Sequence, residues 1–151
     1  MLDLNEYLPY LINRVGNAIS DAFSEVLATH ELTISMWRVL AVLHHGGSQS
    51  MTNLAELTTV ELSTLSRLVG TMQRRGLVTR KRGGSDGRYV SVALTARGTT
   101  LTARLVPPAA DLQDRMIAGM EAADVATLRR LLRELHATIN AEAAQVDRQS
   151  A

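Results

Sequence analysis

At 151 residues, with 46% apolar and 21% charged side chains, the chain is long enough for one globular domain with a sizeable core, and its formal net charge of +1 gives no global sign of a polyanionic partner. The absence of cysteine excludes disulfides, thiol-based oxidant sensing and cysteine-ligated zinc. No apolar run reaches the ~18 residues of a membrane span, and no basic stretch precedes an apolar one at the amino terminus, so neither a membrane partner nor a secretory signal is expected and the cytoplasm is the expected compartment.

Three prolines and a 3% aromatic content favour a mainly α fold over a β-sandwich. Over residues 4–27, Leu4, Leu8, Leu11, Ile12, Val15, Ile19, Phe23, Val26 and Leu27 recur at spacings of three and four, which predicts a long amphipathic helix. The chain up to Trp37 carries Asp3, Glu6, Asp21, Glu25 and Glu31 against Arg14 as the one base, so this end is not expected to face phosphate. Thr33 is placed to cap a second helix, with Leu32 and Trp37 spaced for a hydrophobic staple, and Gly46 and Gly47 end it after His44 and His45.

A short helix over residues 53–57, a turn through Thr58 and Thr59, and a longer helix over residues 62–75 stopped by Gly76 make a helix-turn-helix arrangement. At about 100° per residue, Leu62, Leu65, Leu68, Val69 and Met72 fall on one side of the longer helix. Ser63, Ser66, Arg67, Gly70 and Arg74 fall on the other. The second side suits a major groove: short hydroxyls let the helix approach the base edges, Gly70 removes bulk at close approach, and arginine offers a bidentate fork to guanine or phosphate. A β-rich start at Leu77, Val78 and Thr79 leads through Arg80, Lys81 and Arg82 to a glycine-rich tip at Gly83, Gly84 and Gly87, and alternating residues follow from Tyr89 to Leu94, which predicts a β-hairpin.

Charge concentrates on this region. Between Arg67 and Arg88 lie seven of the sixteen basic residues (Arg67, Arg74, Arg75, Arg80, Lys81, Arg82 and Arg88) against the single acid Asp86. That local excess is the footprint of a polyanion, and double-stranded DNA is the expected partner. Beyond the hairpin, Thr95 is placed to cap a helix running from Ala96 toward Met116 or Met120, which Pro107 and Pro108 are expected to kink or break. A last helix over residues 124–143 carries Val125, Leu128, Leu131, Leu132, Leu135 and Ile139 on one face.

Residues 62–67, Gly76-Leu77-Val78, Arg80, Asp86-Gly87-Arg88, and Leu94-Thr95 with Gly98 together resemble the winged helix-turn-helix signature of the MarR (multiple antibiotic resistance regulator) family. The resemblance extends more loosely to Leu32-Thr33 and Trp37-Arg38-Val39-Leu40 and thus over nearly the whole chain; the aspartate-x-arginine wing is its most specific element. Two residues depart from the pattern: Gly87 stands where the wing often has a further arginine, and Glu61 where a serine or aspartate cap is usual.

The resemblance implies one domain over residues 1–151, with a DNA-reading lobe over 33–95 and N- and C-terminal dimerisation helices over 1–30 and 96–146. It implies a homodimer whose recognition helices enter successive major grooves of a pseudo-palindromic operator while the wings reach flanking minor grooves. Ser63, Thr64, Ser66 and Arg67 are the candidates for base or adjacent phosphate contact, and Arg74 for the backbone. Arg88, braced by Asp86, is the minor-groove candidate, with Arg80, Lys81 and Arg82 as general phosphate attraction. The resemblance further implies a repressor released by a small aromatic acid, a phenolic compound or its coenzyme A thioester. Candidate effector contacts are Arg14, which can pair a carboxylate bidentately, Tyr10 one helical turn before it, Trp37 and His44. The alternatives to a ligand role are an ion pair for Arg14 and core packing for Trp37.

An enzyme is not expected: there is no nucleophile with a base, no metal cluster, no phosphate-cradling loop and no implied cofactor, since no helix opens after Gly83-Gly84. The scattered histidines His30, His44, His45 and His136 give no metal signature. The competing reading is a sequence-neutral, nucleoid-type DNA-binding protein, against which the hydroxyl-rich recognition face argues.

Overall fold

The computed structural model describes residues 2–83 and 89–149. In chain order the elements are α1 (Leu8–Ala28), α2 (Ile34–Gly46), β1 (Gln49–Ser50), α3 (Met51–Thr58), α4 (Leu62–Arg74), β2 (Val78–Gly83), β3 (Tyr89–Leu94), α5 (Ala96–Ile117) and α6 (Ala122–Gln149). The fold is thus mainly α with a small antiparallel sheet, as expected. The chain divides into two compact units at Leu112, inside α5.

In the first unit the helices meet on one core. Leu27, Val39, Leu40, Leu54, Leu65, Val69, Met72, Val92 and Leu105 are wholly buried, so α1 through α5 and β3 each contribute at least one side chain to it. Trp37 is half-buried and meets Phe23 edge-on, with ring centroids 5.2 Å apart, the geometry the aromatic quadrupoles favour. Thr58 and Thr102 are buried hydroxyls, and each donates to a carbonyl one turn back, Leu54 and Gly98 respectively.

The caps explain the boundaries. Pro9 sits in the first turn of α1, where its missing donor costs nothing, and the helix therefore starts later than residue 4. Thr33 caps α2 as expected, accepting from the Met36 amide at 3.2 Å, and Gly47 with φ 70° closes it. Two turns end without glycine: Glu31 after α1 and Thr59 after α3 both take φ 54°. The Leu32 amide reaches back to the Leu27 carbonyl, and the Val60 amide to that of Ala55, closing each helix in the Schellman manner with a left-handed residue where glycine is usual.

The sheet has the order β1-β3-β2. The hairpin is in register from Val78 opposite Leu94 to Gly83 opposite Tyr89. Sequence reading missed β1, whose two residues pair with Val92 and Ser91; a two-residue strand has no periodicity to detect. Leu62 also departs from expectation: it is 47% exposed, because it opens α4 before the helix reaches the core.

Pro107 and Pro108 do not break α5, which runs through both. The two prolines remove the amides that would bond the carbonyls of Ala103 and Arg104, and both of those residues are exposed, so water can satisfy the freed oxygens. The alanines that follow at 109 and 110 are strong helix formers. In the second unit, α6 is longer than expected and leaves Leu128, Leu131, Leu132 and Ile139 exposed along one face.

Candidate nucleic-acid interface

The recognition candidate α4 divides sharply by side. Leu65, Val69 and Met72 are wholly buried, whereas Ser63, Thr64, Ser66, Arg67 and Arg74 are all exposed. The apolar residues fix which face of the helix meets the core, and the hydroxyl and guanidinium groups are thereby left facing solvent together.

Glu61 gives this face a feature that sequence reading treated only as a departure. Its carboxylate caps the helix, accepting from the amides of Ser63 at 2.9 Å and Thr64 at 3.1 Å. It also accepts from both hydroxyls, that of Ser63 in a close contact and that of Thr64 at 3.3 Å. These bonds, the Ser63 hydroxyl first and then the Ser63 and Thr64 amides, hold the Glu61 carboxyl well below its usual range, at about 2. The signal was present in the sequence as an acid two and three residues before hydroxyl side chains, a spacing that lets a longer carboxylate do the work of a short cap. A carboxyl group whose folded value is depressed from 4.5 to about 2 stabilises the cap fully above the higher value and stops doing so as pH falls through the lower. We expect Glu61→Ala to lower the hydrogen-exchange protection factors of the Ser63 and Thr64 amides at neutral pH, and acid to lower those of the wild type only as pH approaches 2. Unchanged protection in the variant would refute the cap.

The guanidinium groups differ in commitment. Arg74 donates to the Thr71 hydroxyl at 2.9 Å, which lays it along the helix. Among the described residues the Arg67 guanidinium has no hydrogen-bond or acidic partner, although its carbonyl accepts from the Thr71 hydroxyl at 3.2 Å. Arg80, expected as a phosphate contact, is half-buried instead and donates to the Ser66 carbonyl, strapping β2 to the recognition helix; its Nε is buried with no partner. Lys81, the next residue, is exposed. The side chain of Arg82, and Asp86 and Arg88 altogether, lie outside the described residues.

Gly70 occupies the middle of α4, where an added Cβ would meet nothing nearer than the Arg74 guanidinium at 3.8 Å. Packing therefore does not require glycine here, and a mid-helix glycine costs about 0.5–1 kcal/mol relative to alanine. We expect Gly70→Ala to raise the melting temperature while weakening DNA binding, as measured by calorimetry and fluorescence anisotropy. Unchanged DNA affinity would show that no backbone approach occurs at this position.

The four effector candidates are dispersed rather than gathered. Tyr10 and Arg14 are exposed on α1, Trp37 packs on the core, and His44 is exposed at the end of α2. No acid among the described residues pairs with Arg14. None of the four lines the cleft that the first unit contains, which lies between the turn after α1, the end of α4 and the start of α5.

A helix-turn-helix seated on a common core and followed by a two-stranded antiparallel hairpin defines a winged-helix DNA-binding protein. Comparison with known proteins narrows the class. The family model described as MarR family matches residues 30–88. The HTH-type transcriptional repressor IacR of Pseudomonas putida is 28% identical over 123 residues, covering 82% of this chain and 74% of that protein. A MarR-family transcriptional regulator from Silicibacter pomeroyi, known from its crystal structure, is 30% identical with a TM-score of 0.82, over 91% of this chain and 92% of the other. Wild-type MarR from E. coli in its apo form is 25% identical with a TM-score of 0.72, over 85% and 96%. The chain belongs to the MarR family of transcriptional regulators, a family of DNA-binding proteins and not of enzymes. Among the described residues no helix is long and apolar enough to cross a membrane.

Proposed function

We propose that this regulator is a homodimeric, ligand-responsive repressor that holds a pseudo-palindromic operator with its two α4 helices and leaves it when a small aromatic acid, a phenol or a coenzyme A thioester binds. The observation that carries the DNA-reading part is the division of α4, with three buried apolar residues behind five exposed hydroxyl and guanidinium side chains. Support for two-fold assembly comes from apolar stripes that a monomer leaves in water: Leu8, Ile12 and Val15 on α1, and Leu128, Leu131, Leu132 and Ile139 on α6, each at least 41% exposed. Residues 1–30 and 96–146 are thus the dimerisation helices of this reading and residues 33–95 its reading lobe. Two-fold symmetry in the protein then requires an inverted repeat in the operator.

The protein should sediment as a dimer, and a bound operator duplex should be released by members of an aromatic acid and phenol panel that also raise the melting temperature. Replacing Arg88 with alanine should weaken binding to every operator, whereas Ser66→Ala should change the preference among operators. Equal losses on all duplexes for both variants would contradict these roles and favour a sequence-neutral binder.

A further inference from the structure

The first unit contains a cleft of about 550 Å³ whose charged lining is three arginines, Arg75, Arg97 and Arg104, against the single acid Glu31. Arg97 and Arg104 lie seven residues apart on α5, hence on one face about 10 Å apart along the axis. Thr100 and Leu101 lie between them, and the half-buried Leu101 supplies an apolar surface above the buried Leu77. Among the described residues neither the Arg97 nor the Arg104 guanidinium has a hydrogen-bond or acidic partner.

Arg75 is differently placed. It follows α4 as the cap residue, and its guanidinium donates to the carbonyls of Glu31 at 2.6 Å and His30 at 3.0 Å, with the Glu31 carboxylate at 3.7 Å. Those carbonyls belong to the turn that holds Glu31 in the left-handed region, which a non-glycine residue enters only when its surroundings impose it. One wall of the cleft is therefore fixed by Arg75, while two guanidinium groups on the opposite helix remain unengaged. Arginine keeps its charge at any physiological pH, so the cleft repels cations and collects anions.

We propose that this cleft binds a small organic dianion, a compact apolar body carrying two anionic groups, anchored by Arg97 and Arg104 and seated on Leu101. The site rests on the reading of the chain as a ligand-responsive regulator and moves the anchor of its effector from Arg14 on α1 to α5. DNA is the poorer occupant. Arg75 lies twelve residues beyond Ser63 and nine beyond Ser66, about 18 and 14 Å along the helix from those hydroxyls of the recognition face.

The test is calorimetric titration of the full-length protein with terephthalate, benzoate and sulfate, using wild type, Arg97→Ala, Arg104→Ala and Arg14→Ala, with circular dichroism confirming that each variant folds. Terephthalate should bind most tightly, and each of the two α5 variants should lose about tenfold in affinity, as expected for loss of a charge-assisted contact in an exposed site. Arg14→Ala should bind as the wild type does. Sulfate binding as tightly as terephthalate, a loss confined to Arg14→Ala, or no terephthalate binding to the wild type would each overturn the site. So would a fall in DNA affinity of the α5 variants in the absence of any acid, which would make the cleft part of the DNA surface. Terephthalate that binds through Arg97 and Arg104 but leaves operator affinity unchanged would uphold the site and count against the effector reading alone.

Discussion

Replacing Gly98 with alanine should destabilise the protein by about 3 kcal/mol, the upper part of the range for overpacking a filled interior. For a chain of this size that corresponds to a fall of about 10 °C in melting temperature. Gly98 is buried in the first turn of α5, and a Cβ there would run into the Leu77 carbonyl oxygen, with the Leu94 side chain at 3.3 Å on another side. The obstruction is backbone, so no rotamer change relieves it. Thr95 tightens the same junction. Its hydroxyl donates to the Gly76 carbonyl at 2.6 Å and accepts from the Gly98 amide at 2.9 Å, while its own amide donates to Leu77 at 3.1 Å. The first turn of α5 is thereby fastened to the chain that links the recognition helix to β2, and Gly98 is the residue that lets the two approach. Denaturant unfolding of Gly98→Ala measures the effect, and a stability equal to the wild type would mean that the junction can open without cost.

Replacing Arg67 with alanine should lower affinity for the operator by about ten- to a hundredfold, the value of one bidentate contact, with no change in melting temperature. Arg67 is exposed on α4 between the buried Leu65 and Val69 and its side chain makes no bond to the rest of the protein among the described residues, so truncating it leaves the fold intact. Salt dependence separates its two possible contacts. If Arg67 pairs with a phosphate, the slope of log affinity against log salt concentration falls by about one in the variant. If it pairs with guanine, the slope stays and discrimination at one base pair is lost. An unchanged affinity would remove Arg67 from the interface.

Periodicity and caps made most of this fold legible from the residues. The division of α4 could be read because Leu65, Val69 and Met72 recur at helical spacing, and the starts of α2 and α5 because Thr33 and Thr95 are short hydroxyl caps. Three kinds of feature could not be read. The turn at Thr59 was placed, but not its left-handed backbone, and the turn at Glu31 carries no glycine to mark it, its carbonyl being held by Arg75 from far along the chain. The strand β1 is too short to show alternation and exists because β3 offers it an edge. Pro107 and Pro108 spoke for a kinked or broken helix, and the helix is not broken, because the remaining hydrogen bonds and a solvated face carry α5 through them.

The site was legible in type more than in detail. A cluster of bases around Arg67 to Arg88 pointed to DNA, yet charge in a sequence does not reveal which guanidinium groups are engaged by the protein itself. Arg80 binds the Ser66 carbonyl and Arg75 the turn after α1, leaving Arg67 and Lys81 as exposed cations of that cluster without a partner among the described residues. Arg97 and Arg104 escaped notice because they lie 22 and 29 residues beyond Arg75 and meet it only in the folded chain. Glu61 was visible as an oddity, and its meaning emerged from the two hydroxyls that bind it.

The central claim is that the exposed side of α4 reads sequence as well as charge. A competition experiment tests it most directly: fluorescently labelled DNA from the region upstream of this gene, bound by the protein at physiological salt, is challenged with the same duplex unlabelled and with unrelated duplex of equal length. Displacement by unrelated DNA should need about a thousandfold higher concentration, the lower end of specific recognition, and that margin should shrink in the Ser66→Ala and Arg67→Ala variants. Equal displacement by the two duplexes would contradict sequence reading by α4.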